Sequence, residues 1–181
     1  MRHVSELMPV ELSEHEYWMA RVLDLARQAA DLGEVPIGAV LVRDGQLISQ
    51  AYNLRELNHS ATAHAEVLAI QAANQVLSAW RLSGTTLYVN LEPCAMCAGA
   101  IINSRVDRVV YAASDPKAGC AGSLMNLLGD ERFNHQPEVV VGVLAEASQA
   151  LLKDFFRQLR QRNKARKQAQ KAAQSTDLST E

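Results

Sequence analysis

Two short stretches, His64-Ala65-Glu66 and Pro93-Cys94-Ala95-Met96-Cys97, limit what this chain can fold into more than any other part of it. One imidazole and two thiolates are three of the four ligands of a tetrahedral Zn²⁺, and an open fourth position is what distinguishes a catalytic zinc from a structural one. Glu66, two residues beyond the histidine, can lie beside the metal without ligating it and is then free to move protons. A fold that uses this set must bring residue 64 and residues 94–97 to one point.

The spacing also says which parts of the fold meet there. On a helix, residues i and i+2 point about 200° apart, so His64 and Glu66 cannot share a site in mid-helix and belong at a helix start. A site in that place lies in line with free N–H groups and the positive end of the helix dipole. Cys94 and Cys97, at i and i+3, share one face of the first turn of their own helix. Two helix N-termini aimed at one ion favour the thiolates that it needs. Zn²⁺ with two thiolates and a neutral imidazole carries no net charge, which leaves Lewis acidity to activate a water near neutral pH.

The rest of the chain supplies elements able to do this. Ser13-Glu14-His15-Glu16 fits a capping box, and Met19, Val22, Leu23, Ala26 and Ala30 follow at helical spacing until Gly33. Residues 37–42 and 47–52 read as strands around Arg43-Asp44-Gly45-Gln46, a tight hairpin. A helix over 63–77, a buried strand over 86–90, and a third helix with Pro93 in its first turn and its end near Asn103 come next. A strand over 108–112 leads to a long loop, a short helical piece at 124–128 and a strand over 139–143. The last helix starts near Glu146 and is expected to turn Leu151, Leu152, Phe155, Phe156 and Leu159 inward. A hairpin followed by strands that alternate with helices makes an α/β fold, a five-stranded mixed sheet covered on both faces.

Composition narrows the setting. With 181 residues, 48% of them apolar, the chain suits one domain with a full core. No apolar run approaches a membrane span, and the N-terminal residues lack the apolar stretch of a secretory signal, so a cytoplasmic location is expected. An odd count of three cysteines, two of them in a C-x-x-C, speaks for a reduced compartment; Cys120, in a small-residue turn, is left out of the site. His3, His15, His59 and His135 read as surface or locally paired residues. The overall charge of −2 hides an asymmetry: residues 151–173 hold eight basic side chains and one acidic, a net of +7 on a body of −9. A basic arm of this kind suits a polyanionic partner. The polar residues after Ala172 are expected to be disordered.

The pattern H-x-E followed by P-C-x-x-C is the recurring signature of zinc nucleobase deaminases. Around it, Glu34-Val35-Pro36-Ile37-Gly38-Ala39-Val40, Thr62-Ala63-His64-Ala65-Glu66, the run from Thr86 to Ala100, Gly122-Ser123 and Asp154-Phe155-Phe156-Arg157 resemble the bacterial tRNA-specific adenosine deaminases, a branch of the cytidine deaminase-like superfamily. The resemblance covers about residues 16–160 and implies a three-layer α/β/α sandwich, one Zn²⁺ per subunit and a homodimer. It implies hydrolytic deamination of adenosine to inosine at the wobble position of a tRNA anticodon stem-loop. His64, Cys94 and Cys97 would hold the metal and Glu66 would carry protons. Asn53 would hydrogen-bond the flipped nucleotide in a pocket shaped by Val35, Pro36, Ala65 and Leu91. Phe156, Arg157 and Arg160 would meet neighbouring nucleotides, and Asp115 would line the path of the strand. The expected division is an extension over 1–15, the deaminase domain over 16–161, and a basic helix end with a disordered tail over 162–181. Ser60-Ala61, where a proline often stands, and Cys120, where alanine is common, depart from the pattern outside the chemistry. Two other readings use the same residues. A deaminase of free cytosine, guanine or a nucleoside would have no need of the basic arm, and a non-catalytic zinc-stabilised RNA-binding subunit would have no need of Glu66.

Overall fold

The computed structural model describes residues 13–177. Most of the N-terminal extension, with His3, and the last four residues lie outside this range. Helix α1 (Glu14–Asp31) begins with the capping box in full, Ser13 accepting from the Glu16 N–H and Glu16 from the Ser13 N–H. Such a cap stabilises the helix by about 1 kcal/mol. The helix buries Trp18, Met19, Val22, Leu25 and Ala29 along one side, and Gly33, at φ +83°, turns the chain out of it.

Strands β1 (Gly38–Arg43) and β2 (Gln46–Tyr52) form the hairpin. Asp44 and Gly45 both take positive φ, 51° and 67°, as a tight turn between antiparallel strands requires. Gly38 is needed for another reason: a Cβ there would lie 2.4 Å from the Val22 carbonyl oxygen of α1. After α2 (Ala65–Leu77) come β3 (Thr85–Leu91), α3 (Ala95–Ser104), β4 (Arg108–Ala113), β5 (Glu138–Val141) and α4 (Ala145–Asp177). The sheet runs β2-β1-β3-β4-β5, with β1 antiparallel to both neighbours and β3, β4 and β5 parallel.

Alternation along the strands divides the core. Leu41, Leu87, Val89 and Val109 point to α2 and α3 and pack with Ala69, Ile70 and Ile101, while Val40, Tyr88 and Val110 point to the Trp18, Met19 and Val22 side of α1. Each large apolar side chain so buried contributes about 1.5–3 kcal/mol. The α/β/α sandwich is therefore as expected, and it places the carboxyl ends of the parallel strands β3 and β4 side by side, where open α/β sheets bind ligands.

Four local expectations are corrected. Residues 124–128 form turns and not a helix, because Gly119, Gly122 and Gly129 surround them and an isolated bridge ties Ala121 to Asn126; Leu128 is still buried. Pro93 precedes the cap of α3 and does not lie in its first turn. Phe156 is 40% exposed where Phe155 is 6%, since consecutive helical residues point about 100° apart and only one can face the sheet. Helix α4 continues to Asp177, past Ala172, carried on from the alanine- and glutamine-rich run over 168–174, alanine and glutamine both being good helix formers.

Candidate active site

The site is assembled from two helix caps. Strand β3 runs through Glu92 and Pro93 into Cys94, which is the N-cap residue of α3 at φ −74°, ψ 175°; Cys97 follows in the first turn. His64 is the N-cap residue of α2 at φ −76°, ψ 149°, and Glu66 is in that first turn. Neither cap side chain bonds back to its own helix. They point at each other instead. His64 Nδ1 lies 3.7 Å from the Cys94 sulfur and 3.5 Å from the Cys97 sulfur, and the three donor atoms are all within 4.8 Å of one another. The nitrogen that faces the sulfurs is Nδ1, a detail the sequence could not supply.

The electrostatics fit a divalent cation. A hydrogen bond from the Cys97 thiol, helped by His64 and the Cys97 N–H, lowers the Cys94 thiol to about 4. The same hydrogen bond and then burial push Cys97 far up, so one thiolate exists at the expense of the other until a cation lets both ionise. His64 is held above its ordinary value, first by its bond to Cys94. Burial raises the Glu66 carboxyl, which is 4% exposed. Its Oε2 is buried without a hydrogen-bond partner among the described residues. Soft sulfur donors with one imidazole, on a tetrahedral scale of separation, suit Zn²⁺.

Beside these residues opens a cleft of about 660 Å³. Val35, Asn53, Leu91, Asp115, Phe156 and Arg160, six of the residues named from the sequence for the substrate, line it together with His64. Three others stand elsewhere. Pro36 is buried behind the wall, where its carbonyl accepts from the Asn90 amide; Ala65 is fully buried beneath the metal ligands; Arg157 turns outward to pair with Asp154. Four cations edge the opening, Arg55, Lys117, Lys153 and Arg160.

Two glutamates that sequence reasoning passed over hold the cleft's shape. Glu34, fully buried, accepts from Asn53 Nδ2 at 2.9 Å and from the Leu57 N–H at 2.8 Å, which fixes the asparagine amide. Glu92, also buried, accepts from the N–H groups of Asp115, Ala121 and Ser123 and from the Ser123 hydroxyl. It clamps the loop after β4 to the strand that carries Cys94. Gly119 packs so closely on this carboxyl that a Cβ would fall 2.3 Å from it. His15 and His135 are locally paired, with the Tyr88 hydroxyl and the Val106 carbonyl, and His59 is exposed.

A model of the MafB19-like deaminases matches residues 13–160. A His-Cys-Cys donor set with a buried glutamate at the carboxyl ends of this sheet defines a cytidine deaminase-like enzyme. A tRNA-specific adenosine deaminase of Bacillus subtilis (strain 168) is 54% identical over 154 residues, 85% of this chain and 96% of the relative. A structure from work on A-to-I editing by tRNA:A34 deaminases at the wobble position superposes with a TM-score of 0.73 at 41% identity, covering 75% of this chain and 99% of that one. The chain belongs to the tRNA-specific adenosine deaminase family. The guanine deaminase from Nitrosomonas europaea shares the fold at 29% identity and a TM-score of 0.70, over 82% of this chain and 87% of its own.

Proposed function

We propose that this chain deaminates adenosine to inosine at the wobble position of a tRNA anticodon, releasing ammonia. The observation that carries the reading is the buried, partnerless Glu66 oxygen beside His64, Cys94 and Cys97, next to a cleft that His64 lines together with four cations. His64 Nδ1 and the sulfurs of Cys94 and Cys97 would hold one Zn²⁺, which when bound acts as a Lewis acid that makes water a nucleophile near neutral pH. Glu66 takes the proton from the attacking water and passes it to a ring nitrogen of the base. It then takes the proton of the newly added hydroxyl and gives it to the amine, so that the C–N bond breaks, ammonia leaves and the carbonyl forms. A carboxyl raised by burial suits both directions, because it releases and regains its proton closer to neutrality.

Asn53, fixed by Glu34, is the hydrogen-bonding group for the extruded base; Val35, Leu91 and Phe156 are its apolar walls. Arg160 and Asp115 guide the flanking nucleotides. A homodimer, a deaminase domain over 16–161 and a cytoplasmic location complete the proposal. Three free thiols support a reducing compartment, and no helix among the described residues is long and apolar enough to cross a membrane. Light scattering at micromolar concentration tests the dimer, and a stable, active monomer would refute it. The decisive experiment measures ammonia and inosine from an anticodon stem-loop against free guanine and cytosine. Turnover of the stem-loop alone is expected, and turnover of a free base alone would replace this reading with that of the guanine deaminase neighbour.

A further inference from the structure

The cationic edge of the cleft does not stop at the cleft. Helix α4 advances about 100° per residue, so Lys153, Arg160, Lys164 and Lys167 fall within an arc of about 60° and form one stripe down the helix. Lys153 and Arg160 line the cleft with Phe156, which fixes the side of α4 that the stripe occupies. Arg160 also begins a second, shallow groove, lined by Asn163, Lys164, Lys167 and Gln168. The two concavities share that one arginine in their walls. Arg162 and Arg166, on the same helix and equally exposed, project from the opposite side.

Three features set the stripe apart from an ordinary solvated helix face. No acidic residue stands between Asp154 and Asp177, so the usual (i, i+4) ion pairs of an exposed helix are missing. Arg160 and Lys164 repel each other at that spacing, a strain on the helix that a bound polyanion would relieve. Asp154, about 100° round the helix from Lys153, pairs only with Arg157 at the border of the stripe and leaves its other cations unneutralised. The outer part of the stripe also lies past residue 160, where the match to the MafB19-like deaminase model ends.

We propose that this stripe binds the phosphates of the RNA strand flanking the nucleotide in the cleft, and that only the cleft-facing side of α4 does so. The proposal rests on the reading of the protein as an RNA deaminase and adds where the rest of the RNA lies. The Asn163 and Gln168 amides beside the lysines suit phosphate oxygens. An anionic membrane would instead favour an apolar flank, and beyond Leu159 this helix has only alanines to offer.

The test compares two charge-matched variants of the full chain. Lys164→Gln with Lys167→Gln removes two stripe cations; Arg162→Gln with Arg166→Gln removes two from the far side. Binding to an anticodon stem-loop and to the loop sequence alone is measured across a salt series. The stripe variant is expected to bind the stem-loop about tenfold more weakly, with a salt slope shallower by roughly 1.4 from the loss of two phosphate contacts. It should weaken binding of the loop alone by a similar factor, since the flanking phosphates belong to the loop strand, and the far-side variant should match the parent on both RNAs. Equal losses from the two variants would show diffuse charge attraction and overturn the proposal, as would full affinity in the stripe variant or a loss confined to phosphatidylserine vesicles. Because binding is read apart from turnover, a parent that binds RNA without making inosine would bring down the functional reading and leave the stripe standing.

Discussion

Two regions of this molecule bury glutamates and treat them in opposite ways. In the cleft wall, Glu92 has both oxygens filled by three N–H groups and a hydroxyl, and Glu34 has one partner on each oxygen. At the metal donors, Glu66 is buried as deeply and keeps one oxygen with no partner among the described residues. The ionisation follows. Burial pushes Glu92 up, but the Ser123 hydroxyl and the N–H groups of Asp115, Ser123 and Ala121 outweigh it and hold the carboxyl below its ordinary value; burial wins at Glu66 and raises it. A buried carboxylate with every lone pair occupied is a fastener, and one with a bare oxygen is a group kept ready for a proton.

The sharpest way to break this contrast is to take away the ion that the Glu66 region is built around. A chelator that strips zinc should abolish inosine formation, and added Zn²⁺ should restore it at one ion per chain. Metal analysis of Cys94→Ala combined with Cys97→Ala should find none bound. Full zinc occupancy in that variant would mean the donors are misassigned.

Next in size is Glu66 itself. Glu66→Gln should lower the deamination rate by about 10²–10⁴-fold, the usual worth of a placed proton carrier, while zinc content and RNA affinity stay at the parent's level. Thermal stability should hold or rise, since the change removes a buried carboxylate with one oxygen unpartnered among the described residues. A variant that turned over stem-loop at the parent's rate would put the proton transfer elsewhere.

Glu92 should give the opposite signature. Glu92→Ala strands the N–H groups of Asp115, Ala121 and Ser123, and a loss of about 3 kcal/mol is expected from leaving buried donors unmet. That corresponds to a drop in Tm of about 6–10 °C for a domain of this size. Zinc affinity should fall as well, because the clamp holds the strand end that carries Cys94. If the melting temperature did not move, the loop would have an independent anchor.

How much of this could be read from the sequence depends on the distance over which each signal acts. Ser13 and Glu16 announce a helix start within four residues, Asp44-Gly45 a hairpin within two, and the cysteine pair a metal site within one turn, so all three were legible. His64 and Glu66 were legible by exclusion, because only a helix start lets them share a site. Glu34 and Glu92 were not. Their meaning lies in partners 19 to 31 residues away, and a glutamate carries no mark of which N–H groups will fill its lone pairs. The side on which Phe156 would emerge depended on where α4 settles against the sheet, and Arg157 was taken from the cleft by an acid three residues before it. The outer half of the stripe, Lys164 and Lys167, and the far side, Arg162 and Arg166, hold two cations each and became distinct only once the helix was docked.

The smallest expected effect separates positioning from fastening within the cleft wall. Glu34 holds Asn53 Nδ2 and the Leu57 N–H with different oxygens, so Glu34→Gln must put an amide N–H against one of two donors. The cheaper adjustment is for the Asn53 amide to turn over and accept from the new glutamine, which exchanges its oxygen and nitrogen toward the cleft. One hydrogen bond to the base would be lost or reversed, worth about 1.5 kcal/mol. KM for the stem-loop should therefore rise by roughly tenfold with little change in kcat, and with Tm falling less than in Glu92→Ala. The assignment can be checked with substrates whose adenine lacks one ring nitrogen at a time: the analogue missing Asn53's partner should be hurt no further by Glu34→Gln, while the others should lose the full factor. If every analogue lost the same factor, Glu34 would be a second fastener like Glu92, and the orientation of Asn53 would have no part in recognising the base.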